Sequence, residues 1–126
     1  VYLEKVGLLD EIKDRLDDSA YKLSGGQQQR LCLARTLANH PEIILMDEPC
    51  SAIDPAATRR IEELCLKLQE EYTIVIVTHN MAQARRISEH TILMFGGHII
   101  EAGTTEQIFS RPKTELARDF VGGVIG

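Results

Sequence analysis

The hydrophobic positions fall into short blocks whose period changes along the chain. Ile43–Met46, within the segment Glu42–Met46, is a continuous apolar run between Pro41 and Pro49. Its length and flanking prolines predict a strand buried on both faces. Thr73–Val77 reads as a second, β-branched strand. Between them Ile61, Leu64, Cys65 and Leu68 form one helical stripe, with Glu63 and Lys67 spaced to pair on the outer side. Asp54 and Pro55 predict the start of that helix, a cap followed by proline at the first helical position. Upstream, Val1–Leu16 reads as helical, broken near Gly7, and Asp17–Ser19 as a loop. Ser24 with Gln27 three residues on has the capping-box pattern. The helix it opens is expected to run to about Asn39, with Leu31, Ala34, Leu37 and Ala38 as its apolar face and His40-Pro41 as its stop. Downstream, Asn80 caps a short helix through about Ile87. Thr91–Phe95 and His98–Ala102 flank Gly96-Gly97 as a hairpin, and Thr105–Phe109 and Thr114–Val121 read as short helices. Strand, helix, strand, helix, strand is the order of an α/β fold with a parallel sheet.

Composition narrows the functional classes. The 126 residues suit one domain, burying roughly 65% of the unfolded surface. At 44% hydrophobic and 26% charged, the chain is neither disordered nor fibrous. The net charge of −5 argues against a broad basic face, so no nucleic-acid partner is expected. No apolar run approaches the roughly 20 residues that span a bilayer, so a membrane role would be peripheral or through a partner. Cys32, Cys50 and Cys65 have no C-x-x-C spacing and read as reduced thiols. The first residue is Val1, so the chain reads as a piece of something longer.

Three short segments carry candidate chemistry. Asp47-Glu48 closes the first strand, and ligands of open α/β sheets bind at the carboxyl ends of strands. One carboxylate there can hold Mg²⁺ and the other can accept a proton from water, although an acidic pair in a solvated loop has the same sequence. Leu23-Ser24-Gly25-Gly26-Gln27 places two glycines and a hydroxyl at a helix N-terminus. Free N–H groups and the positive dipole end make this an anion site, and an ordinary capped helix is the plainer alternative. His79, beyond the second strand, could donate to a phosphate oxygen. His40, His90 and His98 read as structural or surface groups.

In this order and spacing, Leu23–Gln27 with Gln28-Gln29-Arg30, then Ile43–Glu48, Ser51-Ala52-Ile53-Asp54 and His79 resemble the second half of an ABC-type ATPase domain. The resemblance covers essentially the whole chain. It implies a P-loop NTPase-like α/β fold, with residues 1–40 as part of the helical signature subdomain and 41–126 as the C-terminal part of the ATPase core. It also implies roles. Ser24, Gly25, Gly26 and Gln27 belong to the signature motif that covers ATP in trans. Asp47 is the Walker B aspartate supporting Mg²⁺, through water, and Glu48 is the catalytic base. Ser51 and Asp54 belong to the D-loop, and His79 is the switch histidine at the terminal phosphate. Asp14-Arg15-Leu16, Leu23–Ala34, Cys50, Tyr72–Asn80 and the ending Gly122–Gly126 are further similar to ATP-binding subunits of phosphate-specific bacterial importers.

The resemblance also exposes a gap. No G-x-x-x-x-G-K-[ST] loop occurs in this sequence, and that loop cradles the phosphates in P-loop ATPases. The chain therefore reads as a C-terminal half that is inactive alone. Without the strand that leads to that loop, the family's sheet would have a central gap and unpaired edges. The implied whole is an ATP-hydrolysing translocase subunit energising an importer, with phosphate as the expected solute. Its partners would be a second, head-to-tail ATPase subunit, transmembrane permease subunits and, indirectly, a solute-binding protein. Its place would be the cytoplasmic face of the plasma membrane. The alternatives are an importer of amino acids or another solute, an ABC-type ATPase of DNA repair, and a non-catalytic binding fragment.

Overall fold

The computed structural model describes residues 1–123. Val124, Ile125 and Gly126, part of the ending matched to phosphate importers, lie outside the described residues. The chain divides into two compact units, Val1–Val77 and the segment from Thr78 onward.

In the first unit, α1 (Tyr2–Lys5) and α2 (Leu9–Ile12) flank Gly7, and a 3-10 turn Lys13–Arg15 follows. A second 3-10 turn, Ala20–Lys22, leads into α3 (Gly25–Leu37). Strand β1 (Ile43–Asp47), helix α4 (Pro55–Leu68) and strand β2 (Thr73–Val77) form a right-length β-α-β unit, with β1 and β2 parallel and Ile43 opposite Thr73. The core sits on one face of this sheet. Ile44 of β1 packs with Leu33, Ala34 and Leu37 of α3, Leu64 and Leu68 of α4, and Val6, Leu8 and Ile12.

Three expectations need correcting here. Strand β1 is buried on one face only, since Ile43 and Leu45 are 57% and 76% exposed while Ile44 is 2% exposed. The unit places its helices on the Ile44 side, and nothing in it covers the other face. On α3 the buried stripe is Gly26, Arg30, Leu33, Ala34 and Leu37, and Ala38 is exposed. The stripe follows the i, i+3, i+4 rows from Gly26, which fixes a phase that apolar residues alone did not. Glu63 and Lys67, spaced to pair on the outer side of α4, form no ion pair.

The second unit carries α5 (Met81–Ile87), the antiparallel hairpin β3 (His90–Phe95) and β4 (His98–Thr104), then α6 (Thr105–Ser110) and α7 (Glu115–Val121). Gly96 and Gly97 have φ of +57° and +80°, the left-handed pair that a two-residue turn needs and that glycine adopts without strain. Leu93, Ile108, Ala117 and Phe120 form its core. Glu101 of β4 is buried yet fully partnered. It accepts from the backbone N–H of Lys113 and Thr114 at 2.9 Å each and from Gln107 Nε2 at 3.0 Å. Burial opposes its charge, but these donors hold the carboxyl below its ordinary range. Glu101 thus staples the α6–α7 connection to the hairpin. Each unit holds a two-stranded sheet, so the parallel sheet of the first unit ends at β2. Among the described residues no helix is long and apolar enough to cross a membrane.

Candidate functional site

The first unit assembles the N-terminus of α3 from reciprocal caps. Ser24 Oγ accepts from the Gln27 N–H at 3.2 Å, and Gln27 Oε1 accepts from the Ser24 N–H at 3.1 Å. The capping box expected from the sequence is therefore present. It engages the N–H groups of Ser24 and Gln27. The N–H groups of Gly25 and Gly26 are left at the start of the helix, where the macrodipole is positive. The Ser24 hydroxyl accepts within the cap and keeps its proton to donate. This end of α3 is equipped to receive an anion.

The two glycines also answer a packing demand. A Cβ on Gly25 would lie 3.1 Å from Ile53 Cγ2, and one on Gly26 would lie 2.7 Å from the Ala57 Cβ. The Ser24–Gln27 corner thus rests on the Ser51–Asp54 loop and the first turn of α4. That turn is capped by Asp54, whose Oδ1 accepts from the Ala57 N–H at 2.8 Å. Two motifs separated in sequence are one structural feature. Gly26→Ala is expected to destabilise the full-length protein by about 1–2 kcal/mol. Overpacking costs about 1–3 kcal/mol, and the helix propensity gained offsets about 0.5–1 kcal/mol of it. Denaturant unfolding measures this, and Ala57→Gly in the same background should restore stability. Unchanged stability in Gly26→Ala would show that the approach is loose.

Asp47 and Glu48 sit at the carboxyl end of β1, as expected, and their backbones differ. Asp47 is the last residue of the strand and is exposed. Glu48 leaves the strand with φ of +47°, a left-handed conformation that costs a non-glycine residue about 1–3 kcal/mol. Its N–H donates to the Val77 carbonyl at 2.8 Å, which extends the β1–β2 ladder by one bond and holds the kink. The Ser51 N–H donates to the Glu48 carbonyl at 3.3 Å, closing the turn into the Ser51–Asp54 loop. Glu48 is half-buried and Ser51 and Asp54 are exposed. Ser24, Gly25, Gly26, Gln27, Asp47, Glu48, Ser51 and Asp54 all belong to the first unit. His79 belongs to the second, exposed between Thr78 and Asn80, the residue whose side chain caps α5.

Among the described residues no cluster of three His, Cys, Asp or Glu is placed to hold a metal ion by itself. Mg²⁺ is compatible with that. It takes one or two carboxylates and completes its shell with water and substrate phosphates, and Asp47 offers the hard oxygen it needs.

Sequence reasoning missed a group beside the cap. Arg30 is 6% exposed. Its Nη2 donates to Glu11 Oε1 at 2.8 Å, and its Nη1 donates to Glu11 Oε2 and to the Gly7 carbonyl. Glu11 also accepts from Gln27 Nε2 at 3.2 Å and has Arg60 of α4 at 3.6 Å. The hydrogen bonds from Arg30, helped by Gln27 and the charge of Arg60, hold the Glu11 carboxyl down at about 2 against the opposing effect of burial. An arginine inside the buried stripe of α3 was the available signal.

Comparison with known proteins follows the same lines. The sequence profile of ABC transporters matches residues 1–51. The chain is 57% identical over 124 residues to the phosphate import ATP-binding protein PstB of Malacoplasma penetrans (strain HF-2). That match takes in 98% of this chain and 43% of the relative. Among solved structures, an ATP-binding cassette of an ABC transporter in its ADP conformation is similar, with a TM-score of 0.75 at 29% identity. It covers 93% of this chain, which spans 46% of it. An inward-facing ABC transporter described as of metal-chelate type gives a TM-score of 0.79 at 28% identity, over 97% of this chain and 46% of that one. The chain thus spans less than half the length of the relatives it matches.

Proposed function

This chain belongs to the ABC transporter family of ATP-binding proteins, and on that premise we propose that it is the signature-bearing half of the ATP-hydrolysing subunit of a bacterial phosphate importer. The observation that carries the ATPase reading is the capped end of α3, with two bare glycines seated on the Ser51–Asp54 loop. That surface suits the terminal phosphate of an ATP bound to a second subunit. The phosphate reading rests on the 57% identity to a phosphate import ATP-binding protein, which favours it over importers of other solutes and over DNA-repair ATPases.

In this reading residues 1–40 serve as the helical signature portion and 41–126 as the rest of the ATPase core. Ser24 donates from its hydroxyl, and Gly25 and Gly26 from their N–H groups, to phosphate oxygens in trans. Asp47 is the residue that would hold Mg²⁺, which when bound supplies positive charge against the phosphates. Glu48 accepts the proton of the attacking water, and His79 donates to the terminal phosphate. Ser51 and Asp54 shape the D-loop between the subunits. The partners are a second ATPase subunit, head to tail, and membrane permease subunits fed by a solute-binding protein. The subunit itself sits at the cytoplasmic face of the plasma membrane.

The test has two arms. ATP-driven phosphate uptake is measured in vesicles holding the full-length subunit with its permease, and uptake of amino acids in place of phosphate would overturn the substrate reading. The 126-residue chain, lacking the phosphate-cradling loop, is expected to show no micromolar ATP affinity by calorimetric titration. Tight, Mg²⁺-dependent binding to it would overturn the division of labour between the two halves.

A further inference from the structure

The Gln27 side chain has one end on the Ser24 N–H and the other on Glu11. Its Oε1 faces the N–H that needs an acceptor, and its Nε2 faces a carboxylate that needs a donor. Rotating the amide by half a turn would break both bonds and set two donors and two acceptors against each other. A capping box built by Ser24 and Gln27 alone specifies only the first bond. The second comes from Glu11, which lies 16 residues upstream on a different helix.

We propose that Glu11 is a positioning residue for the anion-facing end of α3, fixing the Gln27 amide so that the cap engages Ser24 and Gln27 and leaves the Gly25 and Gly26 N–H groups for phosphate. Glu11 is held for this task from several directions. Arg30 grips both of its oxygens from the next turn of α3, and Arg30 is itself anchored to the Gly7 carbonyl beyond α1. Arg60 approaches from α4, the helix that Gly26 packs against. The carboxylate therefore ties the signature corner to α2 and α4 at once. Its depressed titration keeps it charged throughout the working pH range.

The proposal deepens the functional reading above and rests on it for its activity measurement. Its test uses the equivalence of Gln and Glu in ordinary capping boxes, where either residue serves at the third helical position. Beside Glu11 they are not equivalent. In Gln27→Glu the oxygen replacing Nε2 meets the Glu11 carboxylate. In the double variant Glu11→Gln/Gln27→Glu the polarity is reversed: an amide donor at 11 meets a carboxylate at 27, while the single oxygen left at position 11 keeps only one of the two Arg30 bonds. Gln27→Glu in the full-length ATPase is expected to lower kcat about tenfold, equivalent to about 1.4 kcal/mol, with KM for ATP unchanged. The double variant, which restores the bond between 11 and 27 but gives up one of the two Arg30 bonds, should recover part of that loss. If a carboxylate at 27 is harmful only by repelling phosphate, the double variant stays as slow as Gln27→Glu, and the proposal fails.

Hydrogen exchange at the Ser24 and Gln27 N–H groups supplies a reading independent of activity. Exchange should quicken about tenfold in Gln27→Glu and slow again in the double variant, and exchange unmoved by Gln27→Glu would overturn the proposal. If Gln27→Glu alone does not fold, restored folding in the double variant supports the proposal and its absence overturns it. Absence of ATP hydrolysis in the unmodified protein would refute the ATPase reading while leaving the exchange experiment to judge Glu11.

Discussion

Replacing Glu48 by glutamine in the full-length ATPase is expected to remove most turnover while leaving ATP binding intact. A positioned general base contributes on the order of 10²–10⁴ to the rate, and glutamine keeps the shape of glutamate without its capacity to take a proton. An interaction made mainly in the transition state lowers kcat and kcat/KM together when it is lost. The backbone supports Glu48 over its neighbour for this role. Asp47 ends β1 as an exposed strand residue, whereas Glu48 is held in a left-handed conformation by a bond to the Val77 carbonyl. Strain of that kind persists where the surrounding structure over-determines it, and it gathers at functional sites. If, as the proposed function implies, ATP binding closes two subunits and hydrolysis reopens them, the closed, ATP-bound dimer should accumulate in Glu48→Gln. Single-turnover hydrolysis with size-exclusion chromatography measures both. Near-normal turnover would remove Glu48 from the role of base.

The features legible in the sequence were those set by neighbouring residues. Asn80, Asp54 and Ser24 each cap the helix expected of them, because a cap is a bond between residues three apart. Thr73–Val77 and Met81–Ile87 fall where β-branched composition and an asparagine cap placed them. Features set by distant chain were not legible. The run Ile43–Met46 could not disclose that only one face of β1 meets this chain's helices, since a continuous apolar run carries no phase. The buried stripe of α3 includes Arg30 because Glu11 lies 19 residues away, ready to neutralise it. The glycines of the signature corner were read as ligand-facing, and their second demand, close approach to Ile53 and Ala57, needed the fold. The candidate groups and their local caps were thus readable, and the support they take from distant parts of the chain was not.

The Ser24→Asp variant of the full-length protein separates the cap from the phosphate contact. As a cap, aspartate serves as well as serine, so a purely structural Ser24 would tolerate the change. A carboxylate at the N-terminus of α3 is also favourable for the isolated helix, where the dipole is positive. The expected result is nevertheless a near-complete loss of ATPase activity with no loss of thermal stability. If the corner faces the terminal phosphate of a partner's ATP, the new carboxylate replaces a donor with a like charge in a site that excludes water. ATP should still load onto the variant's own phosphate loop. The decisive design mixes two full-length variants, one carrying Ser24→Asp and one lacking its Walker A lysine. If the subunits pair head to tail as proposed, a mixed dimer has both lesions in one site and neither in the other. ATP-driven dimerisation or partial activity in the mixture, absent from each variant alone, is the expected signature of action in trans. Normal hydrolysis by Ser24→Asp within its transporter would make Ser24 a helix cap only, and the end of α3 would then be a structural corner.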